Sequence, residues 1–272
     1  INSKLMDTIN EYGAENIDNV IIHQNDYNFD YFAWRSLSEM YLLKNSKGKI
    51  VERPQHMYMR VALWITKSFE DAVQYYNSLS DQLISPATPI MINSGTKVPQ
   101  LASCVLHYNN SDSRDGLLNT LNDISTYSSD AAGIGLSMSN IRSKESRITT
   151  SGGYAGGLLK YLKIVNESLR FFNQQGRRPG SAAIYIEPWH KDIFDLLDIK
   201  KNTGAEELRA RDLFTALWLP DNFMNAVKNG GDWYLFCPND IIKAGIKPLQ
   251  ECYGDEYESN YNLAVSMGLG KK

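Results

Sequence analysis

A cysteine sits in the apolar run Leu101-Ala102-Ser103-Cys104-Val105-Leu106, just after turn-forming stretches around Ser85-Pro86-Ala87-Thr88-Pro89 and Asn93-Ser94-Gly95-Thr96. A thiol can give up both a proton and an electron and then be restored by thiol-disulfide exchange, so Cys104 is a candidate redox group. The competing reading is a small buried hydrophobe, the ordinary fate of a free cysteine. Cys237, in Phe236-Cys237-Pro238-Asn239, and Cys252, in a polar segment, are assigned structural roles. The three cysteines form no CxxC pair and the four histidines show no HxxxH or Cys/His spacing, so neither a disulfide framework nor a metal site is expected.

A second group of chemistry-bearing residues is polar. Asp112-Ser113-Arg114 opens a helical run, and Arg142 with Ile148-Thr149-Thr150 follows on a later loop. Short polar side chains before a helix cap it by default. An arginine on a phosphate would add a charge-assisted hydrogen bond worth roughly 1.5 to 3 kcal/mol. Ala87, Thr88, Ser103 and Gly133 are small: glycine lets the backbone approach a ligand, and hydroxyls donate to phosphate or sugar oxygens. The same residue types also populate ordinary turns. Glycines raise a rival reading as a dinucleotide-binding loop, which must follow a strand and open a helix. Gly133-Ile134-Gly135 opens a strand-like run instead, and Gly152 to Gly157 follows the mostly polar Ser146-Arg147-Ile148-Thr149-Thr150-Ser151.

These residues need elements to hold them. Residues 1–85 read as helical, with helices over 31–43, 55–66 and 69–84; in the last, Phe69, Ala72, Val73, Tyr76, Leu79 and Leu83 recur at three- and four-residue steps. From Pro86 to Lys272 strand-like and helical runs alternate. Strands are expected over 102–107, 133–138, 182–186, 214–219 and 233–236, and helices over 116–130, 157–173, 191–198 and 222–229. Such alternation argues for an α/β architecture with parallel strands. Leu117, Leu121, Ile124 and Ser128, with Tyr127 beside them, form one stripe of the 116–130 helix, which core packing explains.

Bulk properties fit. The 272 residues are 43% hydrophobic and 22% charged, the balance of a globular protein able to bury a core. A formal charge of -3 lacks the basic excess that grips a nucleic-acid backbone, though a nucleotide-sized ligand remains open. No apolar run approaches the roughly 20 residues that span a bilayer, and the N-terminus lacks a signal-peptide pattern, so a cytoplasmic location is expected.

Several stretches together resemble the large, catalytic subunit of class I ribonucleotide reductases, most closely the eukaryotic and viral type. They are the 85–106 segment, Ala132-Gly133-Ile134-Gly135, Arg177-Arg178-Pro179-Gly180-Ser181-Ala182-Ala183-Ile184-Tyr185, Glu187-Pro188-Trp189-His190 and Arg209-Ala210-Arg211-Asp212-Leu213-Phe214, in order and in register. The resemblance implies a helical N-terminal region followed by the first half of a ten-stranded α/β barrel. It also implies reduction of a ribonucleoside diphosphate: a thiyl radical removes the 3'-hydrogen, and a thiol pair supplies the reducing equivalents and ends as a disulfide. Cys104 matches one member of that pair. Ala87, Thr88, Ser103 and Gly133 match substrate-binding positions. Asp112, Ser113, Arg114, Ser129, Arg142, Ile148, Thr149 and Thr150 match the site of a deoxynucleoside triphosphate effector, carried with Mg2+, in which the aspartate takes the sugar hydroxyl and an arginine takes phosphate. Many relatives have lysine where Ser129 stands. The 116–130 helix matches the homodimer helix, and the radical comes from a separate small subunit.

Other family features are missing from these 272 residues. There is no Asn-x-Cys-x-Glu sequence carrying the radical cysteine and its acid-base neighbours. The second redox cysteine, the C-terminal cysteine pair, the radical-relaying tyrosine pair and the N-terminal activity cone are not found either. The chain therefore reads as an internal fragment, inactive alone, whose barrel a second chain could complete. A non-catalytic, nucleotide-sensing and dimer-forming half of a split enzyme is the alternative.

Overall fold

The computed structural model describes residues 1–173 and 179–272. Arg177 and Arg178 of the family-like 177–185 stretch lie outside the described residues. The chain divides into two compact units, one of residues 1–103 with 130–132, the other of 104–129 with 133–272.

The first unit is helical: α1 (Ser3–Tyr12), α2 (Ala14–Val20), α3 (Tyr31–Ser36), α4 (Pro54–Ile65), α5 (Phe69–Ser80) and α6 (Thr88–Asn93). Its core is Leu5, Leu42, Met57, Met59, Val61, Ala62, Tyr76 and Leu79 with their neighbours. Each fully buried aliphatic side chain of this kind stabilises the fold by roughly 1.5 to 3 kcal/mol. The helix expected over 31–43 gives way at residue 37 to a wider turn, Leu37–Tyr41, in which the Leu42 N–H bonds to the Leu37 carbonyl, and Leu42 is fully buried. The helix expected to reach residue 84 stops at Ser80 because Gln82 takes a left-handed φ of 57° and the Leu83 and Ile84 amides both turn back onto the Ser78 carbonyl. Leu83, counted in the apolar stripe, is exposed.

One buried cation organises the end of this unit. Arg60 pairs with Glu52 at 2.9 Å and donates to the carbonyls of Ser94 (2.5 Å) and Met91 (3.1 Å). It satisfies the carbonyls left open where α6 ends, and so ties α6 to α4.

The second unit alternates β1 (Cys104–Tyr108), α7 (Arg114–Ser129), β2 (Gly133–Ser137), α8 (Leu158–Phe171), β3 (Ala182–Ile186), α9 (Ile193–Leu197) and β4 (Phe214–Leu217). The four strands are parallel in the order β1-β2-β3-β4, and each crossover carries a helix, as parallel pairing requires. One face of the sheet is covered: Ile134, Leu136, Ala182, Ile184 and Ile186 pack with Ile124 of α7 and Leu158, Leu162, Val165 and Leu169 of α8. The other face is largely open: Leu106 there is 86% exposed, and residues 250–253 approach it only near Tyr108, whose hydroxyl donates to Glu251 at 3.4 Å. Gly135 lies on that open face between Leu106 and Tyr185. A Cβ on it would come within 2.7 Å of Leu106 and 3.4 Å of Tyr185.

The remaining helices α10 (Asp221–Asn229), α11 (Pro238–Lys243) and α12 (Gly254–Ser266) follow. A separate core of Trp189, Phe236, Ile241, Leu249, Tyr257 and Tyr261 holds α11 and α12. The strand expected over 233–236 does not form. Leu235 and Phe236 make single bridges to Lys271 and His190, while Trp233 stacks on Tyr261 with ring centroids 4.5 Å apart. Aromatic burial against α12 wins over extension of the sheet. No helix among the described residues is long and apolar enough to cross a membrane.

Candidate functional site

The C-terminal ends of β1 and β2 are joined by buried amides. Asn109 accepts from Thr120 Oγ1 (2.8 Å) and donates to Asn140 Oδ1 (3.2 Å), and the Asn140 amide donates back to the Asn109 carbonyl. This holds the loops 109–113 and 139–142 side by side. Ser113 then caps α7 by accepting the Gly116 N–H at 3.1 Å, so the helix starts two residues earlier than expected. Asp112 is left to pair with Arg142: Nε donates to Oδ2 at 2.6 Å and Nη2 to the Asp112 carbonyl at 3.1 Å. Burial pushes the Asp112 carboxyl above its usual range, and the Arg142 contacts pull against that shift.

The third wall is the loop before α8. It folds on itself through Ile148 N–H to the Gly153 carbonyl (2.8 Å) and Gly152 N–H to the Ile148 carbonyl (2.9 Å), which leaves Thr149 and Thr150 exposed at its tip. Gly157, at φ 81°, closes the loop. A Cβ there would meet Lys144 N at 2.7 Å and Asp192 Oδ2 at 2.9 Å, so only glycine fits. The result is a cleft of about 490 Å³ lined by Asp112, Ser113, Arg114, Arg142, Ile148, Thr149 and Thr150, seven of the eight residues expected at an effector site. Ser129 is the last residue of α7 and does not line it. Two guanidiniums, three hydroxyls and a carboxylate in one cleft suit a ligand that carries both phosphate and sugar hydroxyls.

Sequence reasoning missed what supports this cleft. Asp192 is 3% exposed, and its carboxylate accepts from Lys144 N (3.1 and 3.2 Å) and Leu158 N (3.0 Å), clamping both ends of the loop and capping α8. His190 is fully buried. Its Nδ1 accepts from Asp192 N (3.1 Å), which assigns the proton to Nε2, and that nitrogen donates to the Ile141 carbonyl at 2.7 Å beside Arg142. Burial lowers the His190 pKa and keeps the ring neutral. The signal was the polar pair in Glu187-Pro188-Trp189-His190 after an apolar strand.

Glu187, in the same segment, accepts from Trp189 Nε1 at 2.5 Å. Burial pushes its carboxyl up to about 7, against a weaker downward pull from the Trp189 hydrogen bond. The folded state therefore holds this proton more tightly than the unfolded chain does. Stability linked to Glu187 is full below about pH 4.5 and is lost as pH rises toward 7, a swing of about 3 kcal/mol. Glu187→Gln is expected to flatten that part of the stability-versus-pH curve while keeping the tryptophan's acceptor. Urea midpoints between pH 4 and 8 test it, and an unchanged slope would dismiss Glu187 as its source.

Cys104 opens β1 in register with Gly133, which opens β2. Cys104 is an exposed residue, so it is not a buried hydrophobe. Gly133 and Gly135 both lie within β2 rather than in a strand-to-helix turn, which removes the dinucleotide-loop reading. Ala87, Thr88 and Ser103 belong to the first unit. Ala87 precedes α6, its carbonyl accepting from Ile90 and Met91, and Thr88 Oγ1 lies 3.2 Å from Tyr41 Oη. Ser103 is exposed beside β1. The stripe of α7 faces the core, with Ile124 and Ser128 buried and Leu117, Leu121 and Tyr127 partly so, while Leu118, Asn119 and Asn122 face out. Cys237 is buried where α11 begins, and Cys252 Sγ sits 3.3 Å from both the Pro248 carbonyl and Asn260 Nδ2.

Two family models match the chain: "Ribonucleotide reductase, all-alpha domain" over residues 27–99 and "Ribonucleotide reductase, barrel domain" over residues 102–272. Among similar proteins, the ribonucleoside-diphosphate reductase large subunit of Vaccinia virus (strain Copenhagen) is 44% identical over 265 residues, covering 97% of this chain and 34% of the relative. Those of Arabidopsis thaliana and Danio rerio are each 43% identical, covering 95% of this chain and 31% and 32% of their own lengths. The chain thus spans about a third of the length of the curated relatives it matches.

Proposed function

The chain belongs to the ribonucleotide reductase large-subunit family, and from that premise we propose that it supplies the effector cleft and one redox thiol of a ribonucleoside-diphosphate reductase. The observation that carries the reading is the gathering of Asp112, Ser113, Arg142, Thr149 and Thr150 around one cleft from segments up to about forty residues apart. The ligand is a deoxynucleoside triphosphate with its Mg2+. Arg142 takes phosphate, Asp112 the sugar hydroxyl, and the 149–150 hydroxyls the remaining polar edge. Cys104 and Gly133 sit at the substrate end of the sheet, with Ala87, Thr88 and Ser103 on the preceding segment. The radical enters from a separate small subunit, and two copies pair through the outward face of α7. The same residues also fit a non-catalytic, nucleotide-sensing half of a split enzyme.

Arg142 uses Nε and Nη2 on Asp112, and its Nη1 donors can take a phosphate oxygen while that ion pair stays in place. Arg142→Ala removes the phosphate partner and is expected to weaken deoxynucleoside triphosphate binding by about tenfold or more. Titration calorimetry in Mg2+ buffer measures this, with circular dichroism to check that the variant folds. Unchanged affinity would reduce Arg142 to a structural partner of Asp112 and remove the effector reading of the cleft.

A further inference from the structure

The helical unit brings together three donors that the histidine spacing hid. Asp18 of α2, His23 at the start of the turn His23–Asn28, and His56 in the first turn of α4 each offer one ligand atom, and these atoms all lie within 4.8 Å of one another. His23 Nε2 is 3.7 Å from Asp18 Oδ1, and the two imidazole rings meet edge to face with centroids 5.1 Å apart. His23 Nδ1 is buried and has no hydrogen-bond partner among the described residues.

From this juxtaposition we propose that Asp18, His23 and His56 form a binding site for a borderline divalent cation, Zn2+ foremost, on the N-terminal helical unit. The spacing, five and then thirty-three positions, follows no short motif, and only the packing of α2 and the turn near α4 assembles the cluster.

Two imidazoles and one carboxylate are the donor set that suits zinc and its neighbours, leaving a fourth position for water. Tetrahedral ligands about 2.0 to 2.1 Å from a metal lie roughly 3.3 Å apart, so the cluster must close by about 1.5 Å at its widest. The Asp18 side chain is 70% exposed and free to swing inward. The nearby positive charge of Arg53 is partly offset. Arg53 is paired with Asp26 at 2.6 Å, and Asp26 also accepts the Gln55 N–H at 3.1 Å, which covers the positive end of α4. Arg53 further donates to the His23 carbonyl at 3.4 Å, fixing the backbone of one ligand. A bound ion would staple α2 and the following turn to α4, and so tighten the unit rather than take part in redox chemistry.

The test uses the 272-residue chain stripped with chelator. Zn2+ titrated by calorimetry should bind at one equivalent and raise the melting temperature by several degrees, as any ligand of the folded state alone does. Co2+ should give visible ligand-field bands without a thiolate charge-transfer band, which separates the site from the cysteines. Asp18→Ala, at an exposed position, should weaken Zn2+ binding by about tenfold, and Asp18→Ala with His23→Gln by about a hundredfold or more. No saturable binding up to about 100 µM, or undiminished binding in the double variant, for instance at His107 and Asp123 (3.9 Å apart), would overturn the proposal.

Discussion

Serine at position 104 is expected to reduce turnover of the complete enzyme to background while leaving effector binding intact. The argument starts from exposure. Cys104 is solvent-accessible at the first position of β1, so the change removes little buried surface and the sheet should form as before. On the proposed function, what would disappear is the couple in which two thiols become a disulfide, release two protons and pass two electrons to the substrate carbon as the 2'-hydroxyl leaves as water. A serine hydroxyl cannot make that exchange. Deoxynucleotide formation with excess dithiol measures the loss. Peptide mapping of the unsubstituted enzyme after one turnover without reductant should find Cys104 oxidised. Product formed while Cys104 stays a free thiol would remove it from the chemistry.

The second large effect is an absence of activity. Given a ribonucleoside diphosphate, a dithiol and a cognate small subunit, the 272-residue chain alone should make no deoxynucleotide. Its remaining cysteines are a buried Cys237 and a Cys252 in contact with Pro248 and Asn260, and neither stands in an Asn-x-Cys-x-Glu sequence. Binding energy from the proposed effector cleft would not replace a hydrogen-abstracting group, because it stabilises no part of that transition state. The same sample should still bind a deoxynucleoside triphosphate. Deoxynucleotide above background would mean that one of these two cysteines does the work of the absent one.

How far the sequence revealed all this depended on the range of the cause. β3 was legible residue for residue and β2 to within one, because Ala182–Ile186 and Gly133–Met138 are short apolar runs bounded by turn residues. α8, expected over 157–173, was legible to within one residue at its start and two at its end. The helix α12 was not, since it is polar on most of its surface and buries only Tyr257, Tyr261 and Ala264. The segment 233–236 reads as a strand locally and is claimed instead by aromatic packing. The cleft residues were named only through family likeness, as nothing local links Asp112 to Arg142 thirty positions on. The clamp by Asp192 was signalled only by its polar neighbours Glu187 and His190, and the Asp18–His23–His56 cluster had no signal short of the folded chain.

The uncovered side of the sheet has a consequence for handling the protein. A parallel sheet ordinarily has both faces packed. Here one side carries Leu106, Tyr108 and Tyr185 beside the small Gly133 and Gly135, and β1 and β4 both lie at an edge with unpaired backbone groups. Such a surface is adhesive: it can stack on another sheet or lengthen by one more strand. Concentrated preparations of this chain should therefore be prone to self-association through that side.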